Sequence, residues 1–504
     1  MYSLASQKKE SWLSWFLRGV LILGFLILIA RIVELQIIKG SYYRALSEEN
    51  RIKEIPIKAQ RGKILARGGE VMEGAEFAHI TGFVGEIGPN DVGKVDPTCL
   101  EKGYKKLGQL EGKSGLQSQY NCHLTGIDGA ELIEVDTMGN TLRTLGERKP
   151  VAGSNLHTTI DYNFQKEVVK EMDKKGAVVA TDSKGEILAL YSFPSFNPND
   201  IASDLENPDL PFFNRVIGGT FHPGSVFKPL VALTALSEGK IDKNYSYNDE
   251  GQIIIKTLYG TFTYNNWYFT QYGGQEGVIG LTQAIARSTD TFFYKIGELV
   301  GPEKIAEYSR KFNLDAQTGI DLPGEVAGLI PTPEWKKKTK NENWFLGNTY
   351  HLSIGQGDIA LTPLALHMMT ATIANNGKSC APHVNANSAD SGKKSNAKCE
   401  DIKLKQEHID LVKEGMKKAC ETGGTGYTFF DWSTKYPGDQ VACKTGTAEV
   451  DEGTDTHAWF TLFSPVKNPQ IVLTVLVEKG GEGSKVAGPI ARKIMDRWML
   501  IQNP

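Results

Sequence analysis

The sequence predicts an α+β protein with a membrane-anchor helix, a small elongated module, and a larger domain whose central antiparallel sheet is covered by helices. Two observations lead to this fold class. An apolar run occupies residues 12–30, and residues 153–504 read as a helix, two strands, a block of helices, three strands and a last helix. Strands at both ends of this region imply one antiparallel sheet that both ends build, with helices packed against it.

The composition is that of an ordinary globular protein. The chain has 504 residues, enough for two or three domains, of which 40% are hydrophobic and 23% charged. A net charge of −3 argues against a nucleic-acid-binding protein, whose domain is usually basic. The nine histidines show no paired ligand spacing and no Cys-x-x-Cys pair occurs, so we expect neither a metal nor a cofactor.

The N-terminal apolar run predicts one uncleaved membrane helix over residues 12–38. About 20 apolar residues span a bilayer, and the run is long enough if Arg18 snorkels to the interface beside Trp12 and Trp15. A cleavable signal peptide is the alternative, but no small-residue cleavage site follows. We therefore expect residues 1–11 to be a cytoplasmic tail and the rest of the chain to lie outside the membrane.

Residues 39–152 predict the small elongated module, a pedestal between the anchor and the main domain. A polar helix over residues 42–50 leads to an extended segment, residues 51–58, in which Pro56 favours an edge strand. A loop-rich region follows over residues 82–115. The residues leave open whether this module is only a spacer or a surface for a partner.

The main domain, residues 153–504, begins with an amphipathic helix over residues 160–172, where apolar side chains recur at helical spacing. Two strands joined by a tight turn come next, and three strands and a helix close the chain. The predicted bounds of these later elements are 177–180, 187–191, 440–450, 458–463, 470–478 and 490–500.

A serine and a lysine three residues apart, Ser225 and Lys228, form the first candidate catalytic motif. On a helix these positions share one face, so the hydroxyl and the amine can meet. Pro223 and Gly224 predict a turn, and Pro229 requires the helix to begin close to Ser225. Ser225 then lies at the positive end of the helix dipole, where an oxyanion is stabilised.

Two further motifs follow: residues 288–290 read Ser-Thr-Asp and residues 444–447 read Lys-Thr-Gly-Thr. Each motif alone has a structural explanation, as a capping serine, a helix cap or an ordinary strand. Ser-x-x-Lys, then Ser-Asp-Asn or a variant, then Lys-Thr-Gly is the set typical of penicillin-binding proteins and class A β-lactamases. All three occur here in that order, which favours the catalytic interpretation.

With these motifs in place, the chain resembles the class B penicillin-binding proteins over nearly its whole length. Asp290 stands where the usual second motif ends in Asn, and this variant resembles the elongation-type branch, penicillin-binding protein 2, which works with a SEDS-type glycosyltransferase. Further segments similar to the family are residues 31–36, 60–63, 112–116, 124–129, 185–190, 355–357 and 361–363.

The resemblance implies a penicillin-binding transpeptidase domain in a single-pass protein of the bacterial cell membrane, with the catalytic domain extracytoplasmic. The implied activity is a penicillin-sensitive D,D-transpeptidase that cross-links peptidoglycan stem peptides ending in D-Ala-D-Ala during cell elongation. Its binding partners would be those peptides, β-lactams and the SEDS-type enzyme. A D,D-carboxypeptidase, a β-lactam sensor or β-lactamase, and a non-catalytic scaffold share the motifs. A class A β-lactamase needs a further carboxylate, for which Glu342 is only a loose match in spacing.

The resemblance also implies a role for each motif residue. Ser225 is the nucleophile, Lys228 its base, and Ser288 the relay to the leaving amine. Lys444, Thr445 and Thr447 receive the substrate carboxylate, Gly446 admits the substrate backbone, and the N–H groups of Ser225 and Thr447 form the oxyanion hole. Asp290 either holds Lys228 by a hydrogen bond or shares a proton with it. Desolvation and Lys444 favour a neutral Lys228 whereas an ionised Asp290 opposes it, and the sequence leaves that balance open.

Six cysteines form three couples close in sequence: Cys99 with Cys122, Cys380 with Cys399, and Cys420 with Cys443. Such couples are consistent with disulfides in an oxidising compartment. For the last couple, buried free thiols are an equally good explanation. The polar stretch over residues 385–398 predicts a surface loop between the second couple.

Overall fold

The computed structural model describes residues 12–97, 99–136, 138–258, 260–386, 399–450 and 455–502. The chain divides into two compact units. The first unit comprises Met1–Arg61 and Thr125–Gly153, and the second comprises Gly62–Leu124 and Ser154–Pro504. The predicted pedestal, residues 39–152, is therefore shared between the two units, because residues 62–124 group with the larger one.

The first unit begins with the predicted membrane helix. An α-helix, Trp12–Val33, continues through a π-helical turn, Glu34–Ile38, and its apolar side chains are exposed. These 27 residues have a mean hydropathy of 2.4 over the best 18-residue window. Their length and composition suffice to cross a bilayer.

A small antiparallel sheet completes the first unit. The helix Gly40–Arg51 leads into three strands in the spatial order Ile52–Ile57, Gly129–Val135, Thr141–Arg148. The strand that contains Pro56 is at the edge, as its missing N–H predicts. Glu134 is buried in this sheet, and the Arg143 Nε lies 2.6 Å from its carboxylate, which Arg51 also contacts.

The second unit is built on a five-stranded antiparallel sheet formed by both ends of the domain, so the predicted fold class is confirmed. Its strands pair in the spatial order Ala442–Glu449, Thr456–Ser464, Ile471–Val477, Gly176–Thr181 and Ile187–Phe193. Ala442–Glu449 is named the edge strand below. Because it has a sheet neighbour on one side only, its other side is open to another element or a ligand.

Helices cover both faces of this sheet, so its strands are buried on both sides. Val178 and Ala180 belong to a core with the helices Tyr162–Glu171 and Ala487–Gln502. The alternate residues, Ala177 and Val179, belong to a second core that includes the fully buried helix Pro363–Ala374. The period of two along a strand therefore explains why every strand residue here is apolar or small.

The remaining elements of the second unit are short helices and two-stranded ribbons. The α-helices are Ala78–Thr81, Gly115–Gln119, Asn121–Leu124, Arg215–Gly218, Lys228–Ser237, Trp267–Tyr272, Leu281–Arg287, Asp290–Val300, Pro302–Lys311, Pro333–Lys340, Leu346–Ser353, Gln406–Ala419 and Trp432–Lys435. The ribbons pair Ile64–Leu65 with Leu156–His157, Val84–Glu86 with Leu110–Gly112, Ser246–Asp249 with Gly277–Gly280, Gln252–Thr257 with Gly260–Asn265, and Lys378–Cys380 with Cys399–Asp401.

All three cysteine couples are disulfides in the structure: Cys99–Cys122, Cys380–Cys399 and Cys420–Cys443. The third bond links the end of the helix Gln406–Ala419 to the edge strand, so the free-thiol interpretation of this couple is wrong. The predicted loop over residues 385–398 lies outside the described residues from position 387 onward.

One buried histidine connects the helix Pro363–Ala374 to the sheet. The His367 Nε2 lies 2.9 Å from the Thr181 Oγ1, and its Nδ1 lies 3.1 Å from the Thr474 Oγ1. Burial lowers the pKa of His367 to about 3 because the imidazolium would lose its hydration. The ring is therefore neutral in the folded protein over the physiological pH range.

We expect acid to destabilise the protein through His367. Its pKa in the unfolded chain is about 6.5, so unfolding takes up a proton below that pH. The free energy of unfolding should then fall as the pH decreases from about 6.5, by up to about 1.4 kcal/mol per pH unit for this residue. Urea unfolding between pH 6 and pH 4 measures the slope. His367→Gln should lower it by about that amount, and an unchanged slope would contradict the assignment.

Candidate active site

Ser225 and Lys228 lie at the start of one helix, as the sequence predicts. A single 3-10 turn, Gly224–Phe227, continues into the helix Lys228–Ser237, which carries Pro229 in its first turn. Ser225 is half-buried at the surface of a cleft, whereas Lys228 is completely buried below it. The hydroxyl therefore stands near the positive end of the helix dipole.

A close glycine contact holds this turn against the edge strand. Gly224 has a φ of +57°, and a Cβ on it would lie 2.8 Å from the Thr447 carbonyl oxygen. Its N–H donates to the Gly355 carbonyl over 2.8 Å. A Cβ on Gly355 would in turn lie 2.2 Å from the Gly224 carbonyl oxygen. The nucleophile turn can approach the strand this closely only because both positions lack a side chain.

The Lys228 ammonium group is fully engaged. Its Nζ donates to the Asp290 Oδ1 at 2.7 Å, to the Ser288 carbonyl at 2.7 Å and to the Ser288 hydroxyl at 3.2 Å. Burial lowers the pKa of Lys228, and the Asp290 carboxylate opposes that shift. Of the two roles predicted for Asp290, the hydrogen bond to Lys228 is present.

Ser288 joins the two lysines. It lies between the helices Leu281–Arg287 and Asp290–Val300 in the left-handed region, with φ +57°, which is uncommon for a residue with a Cβ. Its hydroxyl accepts from the Lys444 Nζ at 2.8 Å and from the Lys228 Nζ at 3.2 Å. Backbone conformations of this kind concentrate at functional sites.

Lys444 extends from the edge strand and is completely buried. Its Nζ also donates to the Thr445 carbonyl at 3.0 Å. Burial lowers the pKa of Lys444 well below its usual value, and the nearby Lys228 adds to this shift, whereas Asp290 opposes it. A carboxylate bound in the cleft would favour the protonated form of Lys444.

The two threonines of the edge strand are held in place from outside the sheet. The Thr445 hydroxyl donates to the Thr425 hydroxyl at 2.8 Å, and the Thr447 hydroxyl accepts from the Gly483 N–H at 3.2 Å. The Thr447 carbonyl accepts from the Gln356 side chain, on the side away from the neighbouring strand. Since the N–H and C=O of one strand residue point the same way, the Thr447 N–H also faces this open side.

All the predicted site residues meet around one cleft of about 320 Å³. Ser225, Ser288 and Asp290 line it together with residues 445–447 of the edge strand. Lys228 and Lys444 lie below its surface and contact it through Ser288. Glu342 is not in its lining: its carboxylate is largely exposed and lies 3.0 Å from the Lys336 Nζ.

The structure adds cleft residues that the sequence analysis did not single out. Trp267, Thr425 and Gln356 line the cleft, and the Trp267 N–H donates to the Asp290 Oδ2 at 2.9 Å. Glu449 also lines it, two positions after Thr447 on the edge strand. The alternation along a strand was the available signal for Glu449. No sequence pattern marked Trp267 or Thr425.

Comparison with known proteins identifies the class. Residues 176–496 match the penicillin binding protein transpeptidase domain, and residues 70–158 match the penicillin-binding protein dimerisation domain. The chain belongs to the penicillin-binding protein transpeptidase family, so the predicted resemblance is confirmed.

Among individual relatives, peptidoglycan D,D-transpeptidase MrdA of Acinetobacter baumannii is 33% identical over 461 residues, which cover 84% of this chain and 65% of the relative. The crystal structure of Pseudomonas aeruginosa PBP2 in complex with WCK 5153 is 30% identical, with a TM-score of 0.75, over 89% of this chain and 97% of that one. A chain from a structure titled "Structural coordination of polymerization and crosslinking by a peptidoglycan synthase complex" is 25% identical, with a TM-score of 0.71, over 95% and 97% of the two chains.

We expect the Cys420–Cys443 disulfide to support the edge strand specifically. Removing it as Cys420→Ala with Cys443→Ala should lower the free energy of unfolding by about 3 kcal/mol, because the unfolded chain gains loop entropy. It should also slow penicillin acylation, since Cys443 directly precedes Lys444. Unfolding in urea and the rate of labelling by a fluorescent penicillin measure the two effects.

The Cys99–Cys122 bond provides a matched control, because both bonds have a sequence separation of 23 residues. The double variant Cys99→Ala with Cys122→Ala should lose a similar free energy of unfolding and keep its acylation rate. Equal slowing in both double variants would show that the effect on labelling is only global destabilisation.

Proposed function

We propose that this protein is a peptidoglycan D,D-transpeptidase that cross-links stem peptides through an acyl-enzyme on Ser225. One observation carries the proposal: a half-buried hydroxyl, two buried amines and a carboxylate converge on a single cleft beside an open strand edge. Membership in the penicillin-binding protein transpeptidase family supports it, as do the relatives' names.

Acylation requires a base for the serine proton and donors for the developing oxyanion. Lys228 is buried and follows Ser225 on the same helix face, and its lowered pKa increases the neutral fraction that can accept a proton. Ser225 then attacks the carbonyl of the penultimate D-Ala. The N–H groups of Ser225 and Thr447 receive the oxyanion, assisted by the helix dipole.

Departure of the terminal D-Ala requires a proton on its amine. Ser288 relays it, because its hydroxyl contacts both Lys228 and Lys444. The hydroxyls of Thr445 and Thr447 hold the terminal carboxylate, and the protonated Lys444 stabilises it through charge. A substrate backbone lies along the edge strand, where Gly446 presents no side chain to it.

The second half-reaction distinguishes this activity from its neighbours. In a transpeptidase the amine of another stem peptide attacks the Ser225 ester and Lys228 accepts its proton, which regenerates the serine and forms the cross-link. A D,D-carboxypeptidase uses water in the same step. A class A β-lactamase would activate water with a further carboxylate, a role that the position of Glu342 outside the cleft does not support.

The helix Trp12–Ile38 serves as a single membrane anchor of a bacterial cell-membrane protein, with the catalytic unit extracytoplasmic, where its substrate is found. The membrane partner is a SEDS-type glycosyltransferase acting in cell elongation. The Asp290 variant of the second motif supports this assignment, as does the likeness to a chain of a peptidoglycan synthase complex.

Labelling by a fluorescent penicillin tests the nucleophile. The full-length protein should form a long-lived adduct on Ser225, located by peptide mapping, and Ser225→Ala should abolish it. Ser203→Ala, at an exposed serine far from the motif in sequence, is the control and should label normally. Labelling of Ser225→Ala would refute the assignment, and rapid loss of the adduct would favour a β-lactamase.

Cross-linking of glycan strands tests the reaction. We expect the protein, supplied with polymerised strands bearing pentapeptide stems, to release D-Ala and form peptide dimers detectable by mass spectrometry. Release of D-Ala without dimers would indicate a carboxypeptidase. In cells, a Ser225→Ala variant that still supports normal shape would indicate a scaffold.

A further inference from the structure

A buried carboxylate lies behind the cleft, and the reaction described above does not use it. Asp249 ends the strand Ser246–Asp249, is 1% exposed and is not in the cleft lining. Within the described parts of the chain, no basic side chain forms an ion pair with it. A buried carboxylate without a cation is costly unless hydrogen bonds satisfy its oxygens, so its partners indicate what it stabilises.

Four donors satisfy the two oxygens of Asp249. The Oδ1 accepts from the Thr291 hydroxyl at 2.6 Å and from the Gly251 N–H at 3.0 Å. The Oδ2 accepts from the Asn266 side-chain amide at 3.2 Å and from the Glu276 N–H at 2.9 Å. Hydrogen bonds to an ionised acceptor are roughly twice as strong as neutral ones, so Asp249 is well suited to fix these four segments together.

Two of these donors lead directly to Asp290. Thr291 is the next residue along the helix Asp290–Val300. Asn266 uses its side-chain oxygen to accept from the Asp290 N–H at 3.1 Å, and the next residue, Trp267, donates its N–H to the Asp290 Oδ2 at 2.9 Å. The other oxygen of Asp290 then faces the Lys228 Nζ at 2.7 Å.

We propose that Asp249 is a positioning residue for the Asp290–Lys228 pair. It holds Thr291 on one side and Asn266 on the other, so that the Asp290 carboxylate keeps one oxygen on the Trp267 N–H and the other on Lys228. This role rests on the proposed function, because its effect is exerted on acylation of Ser225. Asp249 acts only through Asn266, Thr291 and Asp290.

The test is Asp249→Asn in the full-length protein, measured as the rate constant of acylation by a fluorescent penicillin across pH. An amide has one acceptor oxygen, so two of the four donors lose their partner and the Asp290 carboxylate loses its fixed orientation. We expect the rate constant, normalised to the labelled fraction, to fall by up to about 100-fold. The acid limb of the profile should move to lower pH, since Asp290 raises the pKa of Lys228.

Asp321→Asn is the matched control. Asp321 also accepts three hydrogen bonds, from the Val384 N–H at 2.7 Å, the Asn385 N–H at 2.8 Å and the Tyr120 hydroxyl at 2.8 Å. None of these partners contacts Asp290 or Lys228. This variant should lower the melting temperature and leave both the acylation rate constant and the acid limb unchanged.

A double-mutant cycle separates positioning from stability. If Asp249 acts through Asp290, Asp249→Asn should add little to the loss already caused by Asp290→Asn. If Asp249→Asn does not fold, Thr291→Val removes one contact with nearly the same volume and should shift the acid limb in the same direction by less.

The inference is overturned if Asp249→Asn behaves like Asp321→Asn, or if the two losses in the cycle multiply. Failure of the wild-type protein to acylate at Ser225 would instead refute the proposed function itself. These outcomes are distinguishable in one set of labelling reactions.

Discussion

The contact between the buried Lys228 and Asp290 is the interaction on which the rest of the site depends. An ammonium group without water is unfavourable, and here a carboxylate, a carbonyl and a hydroxyl replace its hydration. The same burial that makes the group costly also lowers the pKa of Lys228 and thereby suits it to accept a proton. The site therefore needs a rigid surround, because a small displacement of Asp290 would alter both the position and the protonation of the base.

That surround comes from elements far apart in sequence. Lys228 comes from a helix near the middle of the chain, and Lys444 comes from the edge strand near its end; Ser288 joins them from a third element. The sheet makes this possible because both ends of the domain contribute strands to it. A disulfide fixes the edge strand to the helix Gln406–Ala419, and helices on both faces exclude water from its inner residues.

Periodic patterns in the sequence were informative wherever local chemistry decides structure. Alternating and helical spacings predicted the five strands and the helices at both ends of the domain, and the bounds differ from the observed ones by a few residues. The turn before Ser225 followed from Pro223, Gly224 and Pro229, because each restricts the backbone irrespective of its neighbours. The grouping of residues 62–124 with the larger unit was not predictable in this way, since it depends on contacts between distant segments.

By itself, the sequence determined the membrane helix, the α+β class, the three motifs and the cysteine couples, because these depend on composition and on spacings of a few residues. Only the tertiary structure decided that Asp290 faces Lys228, that Ser288 joins both lysines, and that Asn266 and Trp267 hold Asp290 from behind. Asn266 and Trp267 stand in no motif. Their positions follow from the packing of a two-stranded ribbon against a helix, and hydrogen bonds between such segments leave no periodic trace along the chain.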